Sequence, residues 1–174
     1  MLCLFSLFLF LLSSRGEDAV PTATTVNENG PLLALTFDDG PYPTVTTHIL
    51  DVLEKHGVCA TFFVLGSRVE GREEVLLRME ALGCEIGNHT FSHADLTRLS
   101  AEQCKEEIDK TNAEFERALG HPASVVRPPY GFYNAAVRKN VPYPLVLWTV
   151  DTNDWRPRNV AELAGAVVRE AEDG

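Results

Sequence analysis

Four short runs hold the side chains able to do chemistry. The first is Thr36-Phe37-Asp38-Asp39-Gly40-Pro41, two adjacent carboxylates where an apolar stretch gives way to turn residues. Neighbouring side chains on a strand point to opposite faces. At a strand end that passes into a turn, both can reach one pocket, one to ligate a metal and the other to act as a base. The second is His89-Thr90-Phe91-Ser92-His93, whose i, i+4 histidines would meet on one side of a helical turn. Two imidazoles and one carboxylate make a facial set that leaves positions open for water and substrate. The third is Arg127-Pro128-Pro129-Tyr130-Gly131, a stiff pocket wall with an arginine able to fork onto a carboxylate. The fourth is Asp151-Thr152-Asn153-Asp154-Trp155, a carboxylate pair beside an indole that could serve as a sugar-stacking platform. Taken singly, each has a plainer reading. Asp-Gly-Pro is ordinary turn chemistry, lone histidine pairs sit on surfaces or in cores, proline turns are frequent, and a loop tryptophan often belongs to a core.

The surrounding pattern sets where these runs fall. Apolar strands are expected at 32–37, 58–65, 84–88, 124–127 and 145–150. Between them the 3.6-residue period predicts helices over 44–56, stopped by Gly57, over 67–82, opened by a Ser67-to-Glu70 capping box and closed by Gly83, and over 100–120. A short helix over 133–140 and one capped by Asn159 complete the series. Strand then helix, five times, means an α/β fold with a parallel sheet. All four runs then lie at the carboxyl ends of strands, where such folds build their sites.

In this order and at these strand ends, the runs resemble the NodB homology domain of the polysaccharide deacetylases, carbohydrate esterase family four. Thr-Phe-Asp-Asp-Gly-Pro, His-Thr-x-x-His, Arg-Pro-Pro-Tyr-Gly and Asp-Thr-x-Asp-Trp each match, as do Ile49-Leu50-Asp51-Val52-Leu53 and Ala60-Thr61-Phe62-Phe63-Val64. The resemblance implies a distorted (β/α) barrel of the polysaccharide deacetylase type, with about five β/α units in this chain. It implies metal-dependent hydrolysis of N-acetyl groups on a polysaccharide or oligosaccharide, with a chitin-like N-acetylglucosamine polymer as the first expectation. The implied roles are Asp38 as general base, Asp39, His89 and His93 as metal ligands, and Arg127 as the residue that orients Asp38. Tyr130 would offer its backbone N–H to the oxyanion, Pro128 and Trp155 would line the groove, and Asp154 would tune a catalytic-acid histidine. The implied cofactor is a divalent metal, zinc first, with cobalt, manganese or iron as alternatives.

The family's acid histidine sits in a late Leu-x-His motif, and no such motif occurs here. His48 and His56 fall on the first helix and His121 follows a helix end, all three reading as surface or capping residues. A β-plus-α unit takes about 30 residues, so five units fit where the barrel needs seven or eight. Five strands are therefore expected to leave open edges, and the expected reading is an incomplete chain or a short inactive relative. Two rivals stand beside the deacetylase: a glycan-binding relative without turnover, and another metal-dependent amide hydrolase on the same scaffold.

Composition bounds the partners. The chain has 174 residues, 45% of them hydrophobic, enough for one domain, and carries a net charge of -10. An acidic surface argues against nucleic acid and leaves a neutral N-acetylated glycan open. Met1 to Leu12 is almost wholly apolar, yet shorter than the about 20 residues that span a bilayer. With Ser13-Ser14-Arg15-Gly16 behind it, residues 1–16 read as a signal peptide, 17–30 as a linker and 31–174 as the catalytic domain. A secreted or cell-surface location is the expectation. Cys59, Cys84 and Cys104 would then leave one disulfide and a free thiol, or plain buried thiols. Asn88-His89-Thr90 matches a glycosylation sequon and reads as accidental.

Overall fold

The computed structural model describes residues 2–5, 33–156 and 159–171, with residues 2–5 as backbone only. The expected linker 17–30, and the expected leader apart from residues 2–5, lie outside the described residues. Five strands form one sheet: β1 (Leu2–Phe5), β2 (Ala34–Gly40), β3 (Thr61–Val64), β4 (Glu85–Asn88) and β5 (Val150–Asp151), in the order β4-β3-β2-β1-β5. β2, β3 and β4 run parallel, whereas β1 pairs antiparallel with both β2 and β5. Beyond β4 the sheet continues as two single parallel bridges, Asn88 to Val126 and Val126 to Leu145.

The full strands expected at 124–127 and 145–150 thus shrink to bridges. Prolines explain it, because each lacks the N–H that a ladder needs. Pro128 and Pro129 follow Val126, and Pro142 and Pro144 precede Leu145. The N–H groups of Val126 and Val146 still bond across, to Pro144 O at 3.0 Å and Val126 O at 2.8 Å. Leu145 therefore lies beyond one end of the sheet and Val150 at the other, so the chain between them links its two ends. The open edge expected at β2 is filled by β1.

The helices are α1 (Val45–His56), α2 (Glu73–Ala81), α3 (Ala101–Leu119), α4 (Ala135–Asn140) and α5 (Val160–Glu170). α1 and α3 end on left-handed Gly57 and Gly120, and α3 opens with a complete Ser100–Gln103 capping box. The second expected helix is the exception. Gly66–Arg68 forms a 3-10 turn, Gly71 takes φ 71°, and α2 begins only at Glu73. A left-handed glycine breaks the α-helical run, and the Ser67 N–H is spent on Phe91 O at 3.1 Å. The Ser67 capping box does not form.

The core lies between sheet and helices. Leu50 and Leu53 of α1, Leu76 and Met79 of α2 and Phe115 of α3 bury against Phe37, Phe62, Val64 and Ile86. A second cluster joins Cys104 and Ile108 to Leu96, Val126, Val137 and Val141. Cys84 and Cys104 are buried, Cys59 is exposed, and all three are free thiols. Cys59 falls in the loop ahead of β3, which starts only at Thr61, so it escapes the burial expected for it. Asn88 is wholly buried, which keeps its sequon match from a glycan. No helix among the described residues is long and apolar enough to cross a membrane.

Candidate metal centre

β2 delivers the two aspartates by a change of backbone hand. Asp38 keeps the strand register opposite Phe63, and the pairing then shifts between Asp38 and Gly40. Asp39 takes φ 67°. That region is costly for a residue with a Cβ, by about 1–3 kcal/mol. It turns both carboxylates toward one side.

The histidines meet by a different route from the expected helical turn. Residues 89–93 form a loop after β4, with Thr90 at φ 69° and His93 at φ 64°. Five hydrogen bonds from three side chains hold that loop. Asn88 Oδ1 accepts from the Thr90 N–H at 2.8 Å, while Thr90 Oγ1 accepts from the His93 N–H at 3.1 Å. Glu107 of α3 accepts from the Phe91 and Ser92 N–H groups at 2.9 and 2.8 Å, and from the Ser92 hydroxyl at 2.8 Å. Local side-chain bonding of this kind competes with helix formation.

One oxygen and two ring nitrogens converge. Asp39 Oδ1 lies 3.4 Å from His89 Nε2 and 3.2 Å from His93 Nε2. One ligand atom from each residue falls within 4.8 Å of the others. Asp38 Oδ2 stands 3.9 Å from His89 Nε2. All four of these atoms are buried and have no hydrogen bond among the described residues. His89 Nδ1 sits 2.7 Å from Arg127 O, a carbonyl that only accepts, so Nδ1 carries the proton. Nε2 is then the ring nitrogen turned toward the Asp39 carboxylate, the one a cation would take. The residues fit a divalent ion.

Burial pushes His93 below the ordinary imidazole value, against the pull of Asp39. Burial alone would raise Asp39, but His89 and His93 hold it below the usual carboxylate range. Asp38 goes the other way: burial raises it, with His89 and Arg127 opposing. A raised carboxylate is the stronger base.

Arg127 is fully buried and spends every branch. Nη1 donates to Asp38 Oδ1 at 2.6 Å and Thr36 Oγ1 at 2.8 Å, Nη2 to Leu147 O at 3.1 Å and Nε to Val146 O at 3.4 Å. Its guanidinium carbon lies 3.9 Å from the Phe63 ring centroid. Tyr130, at φ 61°, sets its ring edge-on to His93 at 4.6 Å, with its hydroxyl 3.2 Å from His93 Nδ1. Pro128 is buried behind this wall. Asp154 and Trp155 follow β5, two strands from β2, and Trp155 is 60% exposed with Arg156 over its ring. His48, His56 and His121 are all exposed, with His121 bound to Glu80 at 2.6 Å.

The structure thus brings Asp38, Asp39, His89, His93, Arg127 and Tyr130 together, while Asp154 and Trp155 follow β5. Sequence reasoning missed Thr36, Asn88 and Glu107, which position the others. Thr36 opens the first run and Asn88 precedes the second, both without an assigned role, but Glu107 lies mid-helix and gives no sequence signal.

The polysaccharide deacetylase family's sequence profile matches residues 25–143. The chain belongs to the polysaccharide deacetylase family. It is 44% identical over 156 residues to the peptidoglycan-N-acetylmuramic acid deacetylase PdaC of Bacillus subtilis, which covers 90% of this chain and 33% of that protein. The peptidoglycan-N-acetylglucosamine deacetylase PgdA of Listeria monocytogenes is 38% identical, covering 95% and 34%. A chitooligosaccharide deacetylase of Sinorhizobium fredii is 35% identical over 162 residues, covering 90% and 75%. This chain therefore spans about a third of the length of the first two relatives. The solved structure of the Bacillus subtilis peptidoglycan deacetylase superposes with a TM-score of 0.82 at 44% identity, over 85% of this chain and 73% of that one. The sheet and helices described above are those of a deacetylase-type α/β barrel, represented here in part.

Proposed function

We propose that the protein is a divalent-metal-dependent deacetylase that hydrolyses N-acetyl groups on a glycan and releases acetate. The observation that carries this is the convergence of Asp39 Oδ1, His89 Nε2 and His93 Nε2 on one point, with Asp38 Oδ2 beside them and all four without hydrogen bonds among the described residues. Two imidazoles and a carboxylate suit zinc best, and also cobalt, manganese or iron. When bound, such an ion polarises an amide carbonyl and makes water more acidic.

The chain's own groups do the rest. Arg127 pins Asp38 Oδ1, so Oδ2 is the oxygen left to take the water's proton. The Tyr130 N–H is the donor proposed for the oxyanion. Asp154 and Trp155 are assigned to tuning the acid and stacking the sugar, at the groove edge after β5. The relatives act on peptidoglycan and chitooligosaccharides, so the substrate is an N-acetylated hexosamine glycan, and the apolar leader assigns the protein to the cell surface or exterior.

A second reading has its own observation. The departing amine needs a proton, and the histidines outside the cluster are exposed on α1, at its end and after α3. A groove that holds glycan without turnover fits that arrangement. Acetate release from an N-acetylglucosamine oligomer decides between them. Release that stops on chelation and in Asp38→Asn supports the deacetylase; saturable binding without acetate supports the binding protein.

A further inference from the structure

Asn112 lies on the buried face of α3, one turn after Ile108. A buried amide must find partners for both its oxygen and its nitrogen. Asn112 Oδ1 accepts from the Ala123 N–H at 3.3 Å and from Asn88 Nδ2 at 3.1 Å, and its Nδ2 donates to the Tyr143 hydroxyl at 3.0 Å. Asn88, at the end of β4 and 0% exposed, is spent as fully. Its Nδ2 donates to Ile108 O at 3.0 Å as well as to Asn112, and its Oδ1 accepts from the Thr90 N–H at 2.8 Å.

Backbone groups decide which way both amides face. The Ala123 N–H can only donate, so it keeps Asn112 Oδ1 on the side of Asn88. Ile108 O can only accept and the Thr90 N–H only donate, so Asn88 shows Nδ2 to α3 and Oδ1 to the histidine loop. Turning one amide over would set like against like at the contact between them. From Asn88 the series runs on to a metal ligand, because Thr90 Oγ1 accepts from the His93 N–H at 3.1 Å. Thr90 and His93 are the two left-handed residues of the loop, at φ 69° and 64°. Residues with a Cβ stay there only where their surroundings over-determine them.

We infer that Asn112 is a positioning residue for the metal centre: by fixing the Asn88 amide it holds the histidine loop in the form that brings His93 Nε2 beside Asp39. The inference rests on the metal-centre reading above. Glu107 grips the middle of the loop, Phe91 and Ser92, whereas Asn112 acts through Asn88 on Thr90 and His93. Tyr143 ends the series on the far side. Ala123 orients Asn112 Oδ1 without it, so loss of the phenol costs a hydrogen bond but not the orientation.

Asn112→Leu nearly keeps the size and removes the amide. Amide hydrogen exchange of the zinc-free chain is read first, then zinc affinity by competition with a chelator. In Asn112→Leu the Thr90 and His93 amides are expected to exchange about tenfold faster, while Phe62 and Phe63 of β3 keep wild-type rates. Zinc affinity is expected to fall about tenfold, the low end for a group outside the ligands themselves. Asn112→Asp offers one oxygen to Ala123 and Asn88 and the other to the Tyr143 proton, and is expected to retain most of both properties. Tyr143→Phe is expected to leave both unchanged, even where its melting temperature falls.

Wild-type exchange at Thr90 and His93 in Asn112→Leu overturns the inference, as does wild-type zinc affinity there. So does faster exchange at all sites alike, or a loss of zinc in Tyr143→Phe equal to that in Asn112→Leu, since either marks a merely structural amide. If Asn112→Leu does not fold, Asn112→Ser, too short to reach Asn88, is read against the same expectations. A wild-type chain that binds no zinc contradicts the metal centre and the inference with it, whereas a zinc-binding wild type matched by the Asn112 variants overturns the inference alone.

Discussion

The ion pair between Asp38 and Arg127 has both side chains at 0% exposure and a 2.6 Å contact. Removing one partner of such a pair strands the other charge in a low-dielectric interior, at a cost of about 3–5 kcal/mol. Arg127→Met is expected to lose that much by denaturant titration, with acetate release falling as well. A loss below about 1 kcal/mol would mean that Arg127 does not hold Asp38 in a dry interior. The sequence exposed this pair only in part. Arg-Pro-Pro-Tyr-Gly marks a stiff wall with an arginine, but a partner 89 residues away is a product of the tertiary fold. Tyr130 shows the same limit. Its backbone was legible from the motif, whereas the contact of its ring with His93 needed the loop to form first.

Local devices on the elements decide how firmly those residues are held. Glu107 donates nothing but accepts from two backbone N–H groups and a hydroxyl of the histidine loop. Outer-shell groups of this kind are worth about 10–100-fold in metal affinity. Glu107→Ala is expected to weaken metal binding within that range while circular dichroism stays unchanged; unaltered affinity would mean the loop holds itself. Helix starts offer a paired test. Ser100→Ala removes a formed cap and should cost about 1 kcal/mol. Ser67→Ala, drawn from an equally good sequence pattern, should cost no comparable amount, because left-handed Gly71 separates Ser67 from α2, which starts only at Glu73. Equal losses in thermal melts would restore the expected helix over 67–82. The capping rule reads three residues at a time, and a left-handed glycine inside the window defeats it.

Acid should loosen the tie between α2 and α3. The Arg117 guanidinium, bonded to Glu73 at 2.7 Å, pulls that carboxyl from 4.5 to about 2. A lowered folded-state value gives stability that is complete above the ordinary value and lost as pH falls through the folded one. Wild type should therefore lose more stability than Glu73→Gln between pH 4.5 and 2, by a small margin because the pair is exposed. Matching pH profiles would remove Glu73 from the account.

For the whole molecule, the alternation of strand and helix gave the architecture, since burial on both sheet faces writes itself into continuous apolar runs. Strand extent was not legible, because Pro128, Pro129, Pro142 and Pro144 cut the last two parallel strands to single bridges. Closure was not legible either. Residues 2–5 read as part of a leader by composition, and in the structure they fill the sheet between β2 and β5. Signal processing, as proposed, would release that edge. Terminal sequencing of the exported protein is expected to begin near residues 15–24, and β2 amides facing β1 should then exchange faster than in the uncleaved chain. An exported protein that still begins at Met1 would refute the leader.

Everything proposed about function depends on Asp39, His89 and His93 holding one ion. Equilibrium dialysis of the purified chain against zinc, read by elemental analysis, measures that without reference to any substrate. The account predicts one ion per chain, lost in His89→Ala and in Asp39→Ala, and retained with Asp38→Asn. A wild-type chain that binds no ion, or variants that bind as well as wild type, would contradict it.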